Sequence, residues 1–177
     1  LKHGIILNTD NYYKTGIISK IYAKIITSFF DRKISFNLKL FKRDLEFILK
    51  NGFSNFSYKY NFKEKSIKKL YKKTKNIKFV IVEGIFSKEI FRSLSGQNCI
   101  LIKLKTNKKT CMNRVINRDF KERGKSKKHA KKDFIRAWDL FYKNKMKPYS
   151  KIYVNKIIVR NKNDIKLLQK KITKIVN

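Results

Sequence analysis

The segment Lys78–Phe86, with the sequence KFVIVEGIF, decides how this chain folds. After Lys78 it contains an uncharged, mostly β-branched run, Phe79 to Val82. Such a run is typical of a strand buried on both faces of a parallel sheet. Ligands of open α/β sheets bind beyond the carboxyl ends of the strands, and a glycine such as Gly84 lets backbone approach closely there. Glu83 is therefore a candidate metal or phosphate-site residue, with capping of the next helix as the alternative.

Composition sets bounds on the chain without identifying an activity. A length of 177 residues suits one domain, and no uninterrupted apolar run of about 18 residues is present to span a membrane. The net charge of +34 would suit a polyanionic partner, but the lysines are spread through every segment. An AT-rich coding sequence gives the same composition, so nucleic acid is not the expected partner. Cys99 and Cys111 lack metal-ligand spacing, which favours free thiols in a reducing compartment such as the cytoplasm.

Apolar runs and helical stripes alternate along the chain. The apolar runs predict strands at about 4–8, 78–82, 99–104 and 156–159. The stripes predict one helix over 17–30 and another from the Asn37 cap to about Lys50. The inner face of the second helix is expected to be core and consists of Leu38, Phe41, Leu45, Ile48 and Leu49. Strands that alternate with helices predict an α/β fold, a parallel sheet with flanking helices, built as a single domain over 1–177.

The segment 53–71 alternates aromatic and polar residues, which predicts a small β excursion outside the main sheet. Its aromatic positions include Phe56, Tyr58, Tyr60 and Phe62. Aromatic side chains among lysines can stack on nucleic-acid bases. They can also cover a hydrophobic edge, and we favour that interpretation.

A second carboxylate follows the first predicted strand. The run Gly4–Asn8 ends at Thr9-Asp10-Asn11-Tyr12-Tyr13, which places an acid and an aromatic pair in a loop after the strand. Glu83 has the same relation to its own strand. Asp10 is therefore a second candidate for the site at the carboxyl ends of the strands.

Three arginines lie close together in the region 114–130. Arg114 and Arg118 are four residues apart on a predicted helix, hence on one face, and Arg123 follows just before Gly124. Guanidinium groups match phosphoryl oxygens, so this segment suits a mobile lid that closes over transferring phosphates. A solvated basic helix end is the alternative.

Three separated motifs resemble those of one enzyme family, the uridine kinase and phosphoribulokinase family of P-loop kinases. Asp10–Tyr13 resembles its D-x-F/Y-Y element, Val82–Gly84 its V-E-G element and Arg118–Gly124 its R-D-x-x-E-R-G lid. Phe30-Asp31 is similar to the family's N-F-D-H-P segment, and Tyr60–Phe62 to its Y-D-F segment. The order and spacing match over roughly residues 3–160.

The resemblance implies a P-loop kinase-like fold and an ATP-dependent phosphotransferase. The acceptor would be a hydroxyl of a small molecule, a nucleoside such as uridine or cytidine or a related sugar, and a homo-oligomer is compatible with it. Asp10 would be the general base, Asp10 and Glu83 would hold Mg²⁺ directly or through water, and Arg118 and Arg123 would act from the lid on ATP. The implied acceptor-binding residues are Tyr13, Phe30, Asp31, Tyr60, Phe62 and Arg114.

The sequence also departs from the family pattern. No G-x-x-x-x-G-K-[ST] loop occurs in it, although the family places one just before the strand that ends in Asp10. With the missing initial Met, this predicts a fragment that lacks about one βα unit upstream and is inactive without it. Asn61 stands where Y-D-F has its aspartate, and Lys65 where a histidine is expected, so the groups that would read a base are not retained.

A non-catalytic remnant or a basic nucleic-acid-binding protein is the second hypothesis. Asp10 and Glu83 argue against it, because a nucleic-acid-binding module needs neither acid and both would repel phosphate.

Overall fold

The computed structural model describes residues 3–94, 99–143 and 156–176. Its internal contacts divide the chain into two compact units, residues 1–95 and residues 96–177. Each unit contains one pair of parallel strands together with helices. The predicted α/β fold with parallel strands and flanking helices is therefore confirmed. A single domain over 1–177 stays a prediction.

The first unit is organised on two parallel strands. Its elements are β1 (Gly4–Asn8), α1 (Ile17–Ile25), α2 (Leu38–Asn51), β2 (Ser54–Asn61), β3 (Ser66–Thr74), β4 (Phe79–Glu83) and α3 (Ser87–Ser93). Three short 3-10 turns, Thr9–Tyr12, Phe29–Asp31 and Lys33–Ser35, join them. β1 pairs with β4 in parallel, with Asn8 opposite Glu83. The residues that follow the two strands therefore meet at one edge.

Helix α2 supplies much of the core of the first unit. It begins at the Asn37 cap, whose Oδ1 accepts a 3.1 Å hydrogen bond from the Leu40 amide, and it ends at Gly52 in the left-handed conformation. Phe41, Leu45 and Ile48 share one face and are buried. The core also contains Leu7, Tyr12, Tyr13, Phe36, Tyr60, Phe86 and Ile90.

Helix α1 differs from the prediction for 17–30. It ends at Ile25, the backbone at Ile26 is extended, and Ser28 enters the next 3-10 turn in the left-handed conformation. The β-branched run Ile25-Ile26-Thr27 explains this end, because such side chains lose rotamer freedom in a helix. Its apolar stripe is exposed, with Ile18 at 70% and Ile25 at 72%.

The segment expected to leave the main sheet forms an antiparallel hairpin of β2 and β3. Its turn is closed by the Asn61 side chain, whose Oδ1 accepts hydrogen bonds from the amides of Lys63 and Glu64 at 3.0 and 3.2 Å. Lys65 ends the turn in the left-handed conformation. The amide oxygen of Asn61 is therefore committed to the hairpin.

The second unit contains β5 (Leu101–Leu104), α4 (Lys108–Arg123), α5 (Lys127–Lys143), β6 (Lys156–Val159) and α6 (Lys162–Val176). β5 and β6 pair in parallel. Asn107 caps α4, and Gly124, with φ +67°, ends it, so the region 114–130 is a helix, a short break and a second helix. None of the described helices is both long enough and apolar enough to cross a membrane.

Candidate functional site

Asp10 and Glu83 lie at the same end of the β1–β4 pair. Asp10 is in the 3-10 turn after β1, and its amide donates a 2.8 Å hydrogen bond to Oδ1 of Asn8, which caps the turn. The side-chain amide of Asn8 donates a second hydrogen bond to Oε1 of Glu83. The structure thus brings the two predicted metal residues together through one intervening side chain, which the sequence analysis did not identify.

Close packing against Thr9 requires glycine at position 84. Its φ is +119°, and a Cβ placed there would lie 2.0 Å from Oγ1 of Thr9. Thr9 is completely buried, and in the described part of the chain its hydroxyl has no hydrogen-bond partner. The turn after β4 can therefore pass the turn that carries Asp10 only without a side chain.

Tyr13 contacts the candidate general base directly. Its hydroxyl donates a 3.1 Å hydrogen bond to Oδ1 of Asp10, and its ring is buried. Burial, with the neighbouring charges of Asp10 and Asp31, raises the pKa of Tyr13 well above its usual range. The phenol is therefore a stable hydrogen-bond donor at and above neutral pH. The 3-10 turn that carries Asp31 lies beside Tyr13, because the ring of Phe30 in that turn is 5.2 Å from the Tyr13 ring.

The four aromatic residues predicted to shape the acceptor site form one connected group. The ring centroids of Tyr13 lie 5.2 Å from Phe30 and 5.1 Å from Tyr60, and Tyr60 lies 4.9 Å from Phe62. Phe86 joins them at 6.1 Å from Tyr13. We call Tyr13, Phe30, Tyr60, Phe62 and Phe86 the aromatic cluster. Phe86 was missed from sequence, although its place two residues after Gly84 was a signal.

A side chain of the Asp10 turn also holds the hairpin against this cluster. The amide of Tyr60 donates a 2.9 Å hydrogen bond to Oδ1 of Asn11. Lys65, at the hairpin turn, has its Nζ 6.0 Å from the centroid of the Phe30 ring, within the range of a weak cation–π contact. The segment 53–71 therefore contributes to the surroundings of Asp10.

A buried carboxylate, Asp44 of α2, supports the same turn from the core. Its Oδ1 accepts two hydrogen bonds from the Arg43 guanidinium, at 3.2 and 3.0 Å. Burial raises the pKa of Asp44, and the Arg43 charge opposes this in part. Burial and the Asp44 charge in turn raise the pKa of Tyr12, which is next to Tyr13. This network was not visible in the sequence, because a helix residue gives no sign of its partners.

In the second unit, two of the three predicted lid arginines gather around Asp119. This carboxylate is buried, and Arg118 donates to its Oδ1 from Nε at 3.0 Å and Nη2 at 2.8 Å. Arg123 pairs with the same oxygen at 3.4 Å, and Lys125 lies 3.5 Å from the other oxygen. Arg114 is exposed on α4 and is not among the partners of Asp119. The aspartate of the R-D-x-x-E-R-G motif thus holds the cations of that motif together.

The carboxylates at the β1–β4 edge suit Mg²⁺. This ion is usually held by one or two carboxylates, waters and substrate phosphates, rather than by a complete protein cage. Within the described residues no group of three or more His, Cys, Asp or Glu side chains could hold a metal. Asp10 and Glu83 supply two carboxylates at this edge, where Asn8 contacts the Asp10 backbone amide and the Glu83 carboxylate.

The model of the Phosphoribulokinase / Uridine kinase family matches residues 2–160, which is most of the chain. A search of curated proteins found no match. The family match agrees with the fold and with the motifs at Asp10, Glu83 and Arg118. This chain belongs to the phosphoribulokinase and uridine kinase family of kinases.

Proposed function

We propose that this chain forms the acceptor site and lid of an ATP-dependent kinase that phosphorylates a hydroxyl of a nucleoside, such as uridine or cytidine, or of a related sugar. The observation that carries the proposal is the hydrogen bond between Tyr13 and Asp10, set against the aromatic cluster at the end of β1. A general base needs a fixed carboxylate within hydrogen-bond reach of the reacting hydroxyl. Aromatic walls beside it suit a flat, partly apolar acceptor.

In this mechanism Asp10 accepts the proton of the acceptor hydroxyl. The acceptor oxygen attacks the γ-phosphorus of ATP, the bond from this phosphorus to the bridging oxygen breaks, and ADP leaves. Tyr13 occupies Oδ1 of Asp10, which leaves Oδ2 to take the proton. Asp31 would accept hydrogen bonds from the acceptor's other hydroxyls, because its charge acts on the same region as that of Asp10. Arg114 would contact the acceptor from α4.

Two sets of side chains would help to neutralise the negative charge of the ATP phosphates. Asp10 and Glu83 would hold Mg²⁺ directly or through water. The ion would neutralise part of the negative charge on the phosphate oxygens. Arg118 and Arg123 would contact ATP with their guanidinium groups, which are already gathered around Asp119. Phosphoryl transfer depends on such positioning and charge neutralisation, with little covalent participation by the protein.

The choice of acceptor is narrowed by two positions of the hairpin. The oxygen of Asn61 is used by the turn, and Lys65 extends over Phe30 where the family has a histidine. Recognition of a pyrimidine by an Asp and a His is therefore not available to this chain. We infer that ATP and a small hydroxylated molecule are the partners, rather than nucleic acid or membrane, and that the protein acts in the cytoplasm, where a homo-oligomer is compatible with this function.

The test is an acceptor screen with the protein expressed from its complete reading frame. ATP consumption is measured with nucleosides and sugars, for the natural protein and for Asp10→Asn. We expect kcat to fall by about 10²-fold or more in Asp10→Asn while the acceptor KM changes little, because the variant keeps the shape but not the proton acceptor. Asp139→Asn, which removes an exposed carboxylate of α5, is the control. Near-normal kcat in Asp10→Asn would contradict the role of Asp10 as the general base, and no turnover with any acceptor would favour the non-catalytic remnant.

A further inference from the structure

Asn8 uses both polar groups of its side chain inside the candidate site. Its Oδ1 accepts the 2.8 Å hydrogen bond from the Asp10 amide, and its Nδ2 donates to Oε1 of Glu83. It is the last residue of β1 and lies directly opposite Glu83 in the parallel register. One side chain thus contacts the backbone of one acid and the carboxylate of the other.

The two acids differ in how they are held. Asp10 is fixed by its turn and by Tyr13. Glu83 is exposed at the end of β4, and in the described part of the chain the Asn8 amide is the hydrogen-bond donor found for its carboxylate. A glutamate side chain has several rotatable bonds, so its rotamer is poorly defined unless such a partner restricts it. Asn8 therefore fixes the Glu83 carboxylate relative to the turn that carries Asp10.

The chemistry of the position requires an amide. Serine, threonine or aspartate could cap the 3-10 turn as well as asparagine can. Aspartate would repel Glu83, and the shorter serine does not reach it with an N–H donor. Serine and threonine hydroxyls also donate and accept, but on a shorter side chain, so asparagine is the capping residue that reaches both neighbours.

We propose that Asn8 is a positioning residue that sets Asp10 and Glu83 at the separation needed to hold a divalent cation. The proposal rests on the proposed function, because it assigns the two carboxylates to Mg²⁺. Removal of a residue that orients a metal ligand typically lowers metal affinity by about 10- to 100-fold.

The test uses Mn²⁺ as the probe and the 177-residue chain. Paramagnetic broadening of the backbone amide signals of Asp10 and Gly84 reports binding, even when it is weak. Asn8→Ser keeps the cap and loses the donor to Glu83, and we expect it to lower Mn²⁺ affinity by about tenfold. Asn37→Ser is the matched control, because Asn37 caps α2 in the same unit through the same kind of bond. Both variants should have similar melting temperatures.

A measurement without metal checks the contact itself. The side-chain N–H signals of Asn8 should shift in Glu83→Gln and stay in place in Glu46→Gln, which changes an exposed acid of α2. A purely structural cap would show neither this shift nor the selective loss of Mn²⁺.

The outcomes separate the two proposals. Loss of Mn²⁺ broadening in Asp10→Asn and Glu83→Gln, with full affinity in Asn8→Ser, would overturn the role of Asn8 and leave the metal assignment intact. Unchanged broadening in Asp10→Asn and Glu83→Gln, or none in the natural chain, would overturn the metal assignment and the role of Asn8 with it.

Discussion

The hydroxyl of Tyr13 donates a 3.1 Å hydrogen bond to Oδ1 of Asp10, so the residue that forms the centre of the aromatic cluster also holds the candidate general base. The ring is fixed by edge-to-face contacts with Phe30, Tyr60 and Phe86. Under the proposed function, the position of the acceptor and the orientation of the base would be coupled through the Tyr13 side chain.

Tyr13→Phe tests this coupling, because it keeps the ring and removes only the donor to Asp10. In the protein expressed from its complete reading frame we expect kcat to fall by about tenfold, while the acceptor KM changes little. Tyr71→Phe, which removes a hydroxyl from a tyrosine that is 84% exposed on β3, should leave both constants unchanged. A rise in KM with normal kcat would mean that Tyr13 serves only as a wall of the site.

The second prediction concerns the 177-residue chain by itself. Its sequence contains no G-x-x-x-x-G-K-[ST] loop, whose backbone amides and lysine hold the β- and γ-phosphates in P-loop kinases. We therefore expect weak ATP binding by calorimetry and negligible turnover from these residues, however well Asp10 is placed. Joining the chain to a segment that supplies such a loop should restore activity. Robust turnover by the 177 residues would contradict the proposed mechanism.

The third prediction separates backbone strain from close packing at two glycines. Gly84 and Gly16 have similar dihedrals, with φ of +119° and +109°, but a Cβ at Gly84 meets Thr9 at 2.0 Å while one at Gly16 meets nothing within 4 Å. Gly16→Ala should lower the free energy of unfolding by about 1–2 kcal/mol through strain alone. Gly84→Ala should cost a further 1–3 kcal/mol or so through overpacking. Equal losses in urea unfolding would mean that the Thr9 side chain moves aside.

Sequence and structure agree best where local patterns decide the outcome. The bounds of β4 and α2 were predicted almost to the residue, since strand runs and helix caps are written in neighbouring side chains. The expected burial of β4 on both faces is wrong, because none of its residues is fully buried and Ile81 is 41% exposed. On α2, Leu38 and Leu49 were expected in the core but are 37% and 48% exposed, because periodicity shows that a helix has an apolar face but not what covers it.

The partners of the site residues were harder to predict. Asn8 and Glu83 are 75 positions apart, and only the parallel register of β1 and β4 places them opposite each other. Asp119 was part of a recognised motif, yet its burial between Arg118 and Arg123 depends on how α4 ends and turns. Sequence spacing therefore located the acids and the cations, whereas their hydrogen-bond partners required the packed structure.

The last prediction concerns Asp44 and the pH dependence of stability. Burial raises the pKa of Asp44 in the folded protein above its value in the unfolded chain. Between these two values the folded state holds a proton that the unfolded state has released, so the contribution of Asp44 to stability is full below about pH 4 and is lost as the pH rises through the folded pKa. Asp44→Asn removes this titration and keeps the shape of the side chain.

The stability of Asp44→Asn relative to the natural chain should therefore increase as the pH rises from 4, and level off above the folded pKa. Urea unfolding of both proteins at a series of pH values measures this difference, and the contributions of other carboxylates cancel in it. Glu46→Gln, at an exposed position on the same helix, controls for the loss of one negative charge from a strongly basic protein. If the difference instead falls with rising pH, the pairing of Asp44 with Arg43 outweighs its burial.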